Sequence, residues 1–298
     1  MTVQSVAVRV RTVTAAIVLL AISFPAARGE GVAAGISDKY EAREPGKASQ
    51  RIWKNLEGRK YLTLGMKDSD SGGSDTKPVF NPSVDSHYPG ITGAYVFDGI
   101  DDGAWRASVP VAAASSFEIW VKPKSLSEGN QVIWEQGGGP RGGSLILMDT
   151  GALQFSVCNR FDKDASNGQG QPEAVVLSYT MTKNDLSDFM QVVGVADGTA
   201  GESRLYINGL RVAAVSRAPK AWSGTGVFGV GCMQDAPIGA LPGFEILEAT
   251  KRLPRRKREI EYTSYNGMIA VLIIYAQKAL SDAEVLQNYQ VIAGSANQ

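Results

Sequence analysis

Two neighbouring residues, Asn208 and Gly209, constrain this chain more than any others. They separate the short runs Arg204–Ile207 and Leu210–Val215, each rich in β-branched, aromatic and aliphatic side chains. A two-residue connection between antiparallel strands needs φ > 0 at both turn positions, and Asn-Gly adopts that geometry at little steric cost. Strands paired this way show alternate side chains to opposite faces, so their apolar face must be covered by a second layer.

The same signature recurs. Ala94–Phe97 ends at Asp98-Gly99, Ser116–Val121 at Lys122-Pro123, and Gln131–Trp134 at the Gly137–Gly139 cluster. Ser144–Met148 and Leu153–Val157 flank Asp149-Thr150-Gly151, a second tight turn. Val175–Tyr179, Met190–Ala196, Val227–Val230 and Met268–Tyr275 have the same character, giving about a dozen strands. The 33 glycines agree with so many turns. One helix is expected, at the end: Ser281 with Glu284 forms a capping box, and Val285, Leu286 and Tyr289 follow at helical spacing. Strands never alternate with long helices, which excludes an α/β fold. The expectation is an all-β jelly-roll sandwich of antiparallel strands, larger than an immunoglobulin domain.

Thirty Lys and Arg balance thirty Asp and Glu, so nothing global suits nucleic acid or an anionic membrane. Residues 1–29 break the balance. They hold Arg9, Arg11 and Arg28, no acid, and the apolar run Val13–Ala27, interrupted by Thr14 and Ser23. This reads as a secretory signal peptide, short of the ~20 apolar residues of a membrane span. Cleavage is expected before Glu30, or after Ala34; an uncleaved anchor is the alternative. The exported chain then carries 27 bases and 30 acids, a formal charge of −3. Residues 30–50 read as a flexible arm and 51–298 as the folded domain. An exported compartment permits a Cys158–Cys232 disulfide, subject to their distance.

The blocks now in hand resemble laminin-G-like domains of the concanavalin-A-like lectin/glucanase superfamily. Tyr95-Val96-Phe97-Asp98-Gly99-Ile100-Asp101-Asp102 is similar to the opening strand, and Phe117-Glu118-Ile119-Trp120-Val121-Lys122-Pro123 to the central one. Arg204 to Ala213 is similar to the family hairpin, and Tyr265 to Tyr275 with Ala279 to Val285 to its closing strand and helix. The resemblance implies a concanavalin-A-like jelly roll and a non-catalytic recognition module for a glycan or extracellular protein. The alternatives are a glycoside hydrolase or polysaccharide lyase of the same fold, or a structural or adhesion domain without a small ligand. In one departure, the family's acidic pair in the closing strand is replaced by Ala270-Val271, which puts its structural calcium in doubt.

Candidate residues follow from the chemistry. Glycoside hydrolysis needs two carboxylates about 5–9 Å apart. Glu118 stands alone on its strand, and Glu259 and Glu261 lie beside a basic cluster. His87, the one imidazole, sits in the turn-like Ser86-His87-Tyr88-Pro89 and reads as a surface residue, so no catalytic residue is assigned. Asp68-x-Asp70-x-Gly72-Gly73 fails as a calcium loop because its twelfth position is Val79. Asp98, Asp101 and Asp102 form a denser acidic turn that either caps its own backbone or ligates Ca²⁺. Asp162, Asp164 and Asn167 make another such cluster. Trp105, Trp134 and Trp222 fall near strand ends or loops and are the sugar-stacking candidates, whereas Trp120 belongs to the core. In Lys251–Arg258, residues Arg255, Arg256, Lys257 and Arg258 could hold a polyanion or simply be solvated.

Overall fold

The computed structural model describes residues 31–45, 51–66, 76–137, 141–159, 173–219, 226–232 and 262–294. Its strands are β1 (Asp38–Glu41), β2 (Ile52–Lys54), β3 (Tyr61–Leu64), β4 (Val79–Asn81), β5 (Ala94–Asp98) and β6 (Ala104–Arg106). Then come β7 (Ala114–Pro123), β8 (Asn130–Gly137), β9 (Arg141–Leu147), β10 (Ala152–Asn159) and β11 (Glu173–Thr180). The series closes with β12 (Met190–Asp197), β13 (Glu202–Ile207), β14 (Leu210–Val215), β15 (Phe228–Val230), β16 (Tyr262–Ser264) and β17 (Asn266–Tyr275).

They form two packed sheets. The first runs β14-β13-β12-β7-β17-β5-β4, with β1 also paired to β17; the second runs β11-β10-β9-β8-β15-β6-β3-β2. β16 lies parallel to β8, and the other pairings are antiparallel. This is the expected all-β jelly-roll sandwich, with more strands than the sequence pattern counted. At the Asn208-Gly209 turn φ is 50° and 81°, and Ile207 faces Leu210 across it.

Alternation decides what meets between the sheets. Phe117, Ile119 and Val121 of β7 enter the central core. There the Phe117 ring stacks on Trp134 at 4.5 Å, and Phe228 and Phe155 complete the cluster. Gly194 of β12 lets Phe155 approach: a Cβ there would lie 2.4 Å from the ring.

The opposite face of β7 carries Glu118 and Trp120, and a helix covers it. α1 (Asp282–Ala293) starts at the expected capping box, in which Ser281 Oγ accepts from Glu284 N (3.3 Å) and Glu284 accepts from Ser281 N (2.9 Å). It ends at Gly294 in the left-handed region (φ 71°). Tyr289 stacks on Trp120 at 5.8 Å, and Val285 joins Val193, Tyr206, Ile273 and Tyr275 in a second apolar cluster. No helix among the described residues is long and apolar enough to cross a membrane.

A buried carboxylate sits under this helix. Glu118 accepts from Trp120 Nε1 (3.1 Å), Gln191 Nε2 (2.8 Å) and Asn288 Nδ2 (2.7 Å). Burial raises the Glu118 carboxyl above its ordinary range, against the pull of those three donors. Asn288 Oδ1 in turn accepts from Val32 N (2.8 Å), and Asn288 Nδ2 also donates to Tyr275 Oη (2.8 Å).

Two expectations are corrected. The described part of the expected arm, residues 31–45, is built into the first sheet: β1 pairs with β17 from Asp38–Ile274 to Glu41–Val271, and Tyr40 is wholly buried. A four-residue strand is too short to show a period in sequence. No disulfide joins Cys158 and Cys232. β9 and β8 lie between their strands, so three interstrand steps separate them by about 14 Å, twice the Cα limit for a disulfide.

Asn288→Ala removes three bonds from buried groups and should cost about 3 kcal/mol in denaturant unfolding. Because the folded-state Glu118 carboxyl is raised, its contribution is fully present in acid and is lost as pH rises. Glu118→Gln should therefore gain stability relative to wild type as pH rises from the acid range, measured by unfolding across a pH series.

Candidate functional site

The outer face of the second sheet offers the surface that the first sheet, under its helix, does not. Pairings align one outward row across seven strands: Thr63, Trp105, Gly229, Glu135, Ser144, Ser156 and Val176. Their sequence neighbours Leu62, Ala104, Phe228, Trp134, Leu145 and Phe155 belong to the central core, which fixes the row on the outside.

The row is closed in its middle and open at both ends, with Val176 exposed at the β11 edge. Glu135 and Ser144 are buried, and Gly229 between Trp105 and Glu135 is buried too. Trp105 is half-buried, and Tyr61, two residues before Thr63 on the same face, is 49% exposed. Tyr61 lies diagonal to Trp105, a relation that places the two Cα atoms about 7–8 Å apart. Exposed Lys54 faces Tyr61 across the β2–β3 pair, and half-buried Ile52 faces Thr63. Two aromatic rings flanked by an ammonium and a hydroxyl can receive the C–H face of a sugar and bond its hydroxyls. Tyr61, Thr63 and Lys54 escape sequence analysis, since β2 and β3 are three and four residues long.

The other stacking candidates fare differently. Trp134 is corrected to a core residue: it is 1% exposed, with its ring 4.5 Å from that of Phe117 and 6.0 Å from that of Phe228, because the bulge between Val132 and Trp134 turns it inward beside Ile133. Trp222 lies outside the described residues, as do Arg255, Arg256, Lys257 and Arg258 and the Asp68 and Asp162 clusters.

Asp98, Asp101 and Asp102 do come together, in the turn between β5 and β6, with one carboxylate oxygen of each within 4.8 Å of the others. Asp98 Oδ1 accepts from Ile100 N (2.8 Å) and Asp101 N (3.4 Å), and Asp102 Oδ2 accepts from Asp98 N (2.9 Å). The turn caps its own backbone, and its all-oxygen donor set suits a hard cation such as Ca²⁺. Ala270 and Val271 sit farther along β17, in the second apolar cluster, where Ala42 N donates to Ala270 O (2.8 Å).

His87 is exposed, as its segment implies, yet it has a partner far away in sequence. Its Nδ1 lies 2.8 Å from Asp188 Oδ2, which also accepts from the His87 backbone N–H (2.7 Å). Burial acts to raise the Asp188 carboxyl, but bonds from the His87 and Phe189 backbones and the His87 ring hold it below the usual range. The contact ties two loops together.

No family model matches the chain, and no curated protein matches it significantly. Among solved structures it is similar to domain 4 of AbnA, a GH43 extracellular arabinanase from Geobacillus stearothermophilus, in complex with arabinotriose. The two share 14% identity at a TM-score of 0.54, over 86% of this chain and 98% of that one. It is more distantly similar to the receptor binding domain of botulinum neurotoxin D (12%, TM-score 0.47, 86% of this chain, 52% of that one). A third is the Ruminococcus gnavus IT-sialidase CBM40 bound to alpha2,3 sialyllactose (13%, TM-score 0.41, 65% and 94%). At such identities only the fold is shared: a two-sheet jelly-roll sandwich.

The two tryptophans should separate by stability. Trp134→Ala should cost about 3–5 kcal/mol, as expected for emptying a core aromatic site, and Trp105→Ala well under half of that, both measured by chemical denaturation.

Proposed function

We propose that this chain is an exported, non-catalytic carbohydrate-recognition module of laminin-G-like type, which stacks an oligosaccharide on Tyr61 and Trp105. The observation that carries the reading is that pair of accessible aromatic rings on an outward sheet face, beside Lys54 and Thr63. An aromatic side chain left partly in water on a regular strand forgoes burial that packing residues such as Trp53 and Trp134 obtain. Export is supported by the basic-apolar leader in residues 1–29.

The non-catalytic reading is supported by the placement of acids. Among the described residues of the outer face, Glu135 is the carboxylate in the row, and Glu118 is enclosed under α1 on the other sheet. Paired-carboxylate hydrolysis needs a second acid within about 5–9 Å. A protein ligand at the same face is the second reading, favoured by the exposed Lys54 beside Tyr61.

Arabinotriose is the first probe, since the similar domain 4 is in complex with it. Calorimetric titration should show saturable binding that Trp105→Ala or Tyr61→Ala weakens at least about tenfold, without loss of fold. Because the acidic turn is internally capped, a calcium chelator should leave that affinity unchanged. Release of new reducing ends from an arabinan would contradict the non-catalytic reading, and absence of binding to any glycan of an array would favour a protein partner.

A further inference from the structure

A cavity of about 380 Å³ lies beside the β2–β3 turn, lined in part by Asn55 and Lys60, the sequence neighbours of Lys54 and Tyr61. Its lining includes Ser37, Asp38, Asn55, Arg59, Lys60 and Ala276. Asp38 is 2% exposed. All of its bonds fall on one oxygen: Oδ1 accepts from Arg106 Nη1 (2.6 Å), Asn55 Nδ2 (2.6 Å) and Tyr40 Oη (3.4 Å). Among the described residues, Oδ2 accepts none.

Asp38 lines the cavity with that oxygen left unbonded by the described residues, and a ligand hydroxyl can donate to it. A ligand ammonium fits poorly, because Arg106 already neutralises Asp38. Exposed Arg59 and Lys60 add two positive charges at the rim, and Glu57 of the same turn does not line the cavity. One carboxylate against three cations leaves an excess of positive charge, which favours an anionic group on the ligand. Ser37 Oγ accepts from Ala276 N (3.1 Å) and keeps its hydroxyl proton to donate. Val109, Pro110 and Ala276 supply an apolar wall of the kind a sugar ring packs against.

We propose that this cavity binds an acidic sugar, with a ring hydroxyl donating to Asp38 Oδ2 and a carboxylate held by Arg59 and Lys60. The site adjoins the Tyr61–Trp105 platform, since Lys60 precedes Tyr61, but shares no lining residue with it and rests on separate observations.

The test is NMR titration of the full-length exported chain with glucuronate, glucose and acetate, in wild type and in the surface variant Arg59→Glu/Lys60→Glu. Glucuronate should bind saturably, shift the amides of residues 55–60 and 276–277, and bind at least about tenfold tighter than glucose or acetate. The double variant should lose that preference, and Trp105→Ala should keep it, which separates this site from the platform. Equal affinity for glucuronate and either control, no saturable glucuronate binding, or full retention in the double variant would overturn the proposal. Asp38→Asn, compared only if its thermal midpoint matches wild type, should weaken glucuronate binding without reversing the preference over glucose.

Discussion

A single carboxylate organises the covered side of this molecule. Glu118 is fully enclosed and takes bonds from the indole beside it, from Gln191 on the neighbouring strand and from Asn288 on the helix. Asn288 also holds the chain at Val32, so four segments far apart in sequence meet at one polar point within an apolar cluster. Apolar contact alone is non-directional, whereas a buried acceptor with three donors admits few arrangements. The helix is thereby fixed in position as well as bound.

Covering one sheet leaves the other to face outward. In the second sheet Trp105 turns outward while Trp134 turns inward, and the antiparallel register sets Trp105 beside Thr63 and diagonal to Tyr61. The platform needs no loop to build it. It follows from three short paired strands, whose rigidity fixes the spacing of the rings.

Much of the architecture is legible in the residues. The Asn208-Gly209 turn, the Ser281–Glu284 box and the strand carrying Phe117 and Trp120 announce themselves because local chemistry suffices: φ > 0, a cap, a period of two. β1, β2, β3, β4, β6 and β16 do not, since three or four residues hold too little pattern and their stability comes from partners elsewhere. The same cause hides the proposed binding surface. Trp105 is visible as a tryptophan, but its partners Tyr61 and Thr63 lie in a strand that only long-range pairing defines. Trp134 misleads for the opposite reason, as it stands near a turn in sequence while a bulge between Val132 and Trp134 directs it inward. Pairing of Cys158 and Cys232 likewise turns on strand order, which sequence spacing does not encode.

Recognition through the outward face of the second sheet is the proposal on which the rest turns. The most direct measurement is a ¹H–¹⁵N titration that follows the indole signals of the five tryptophans as oligosaccharide is added. The account predicts that the Trp105 indole moves with saturation while those of Trp53, Trp120 and Trp134 stay in place. A silent Trp105, with the shifts falling on Trp222 or on the helix-covered sheet, would contradict it.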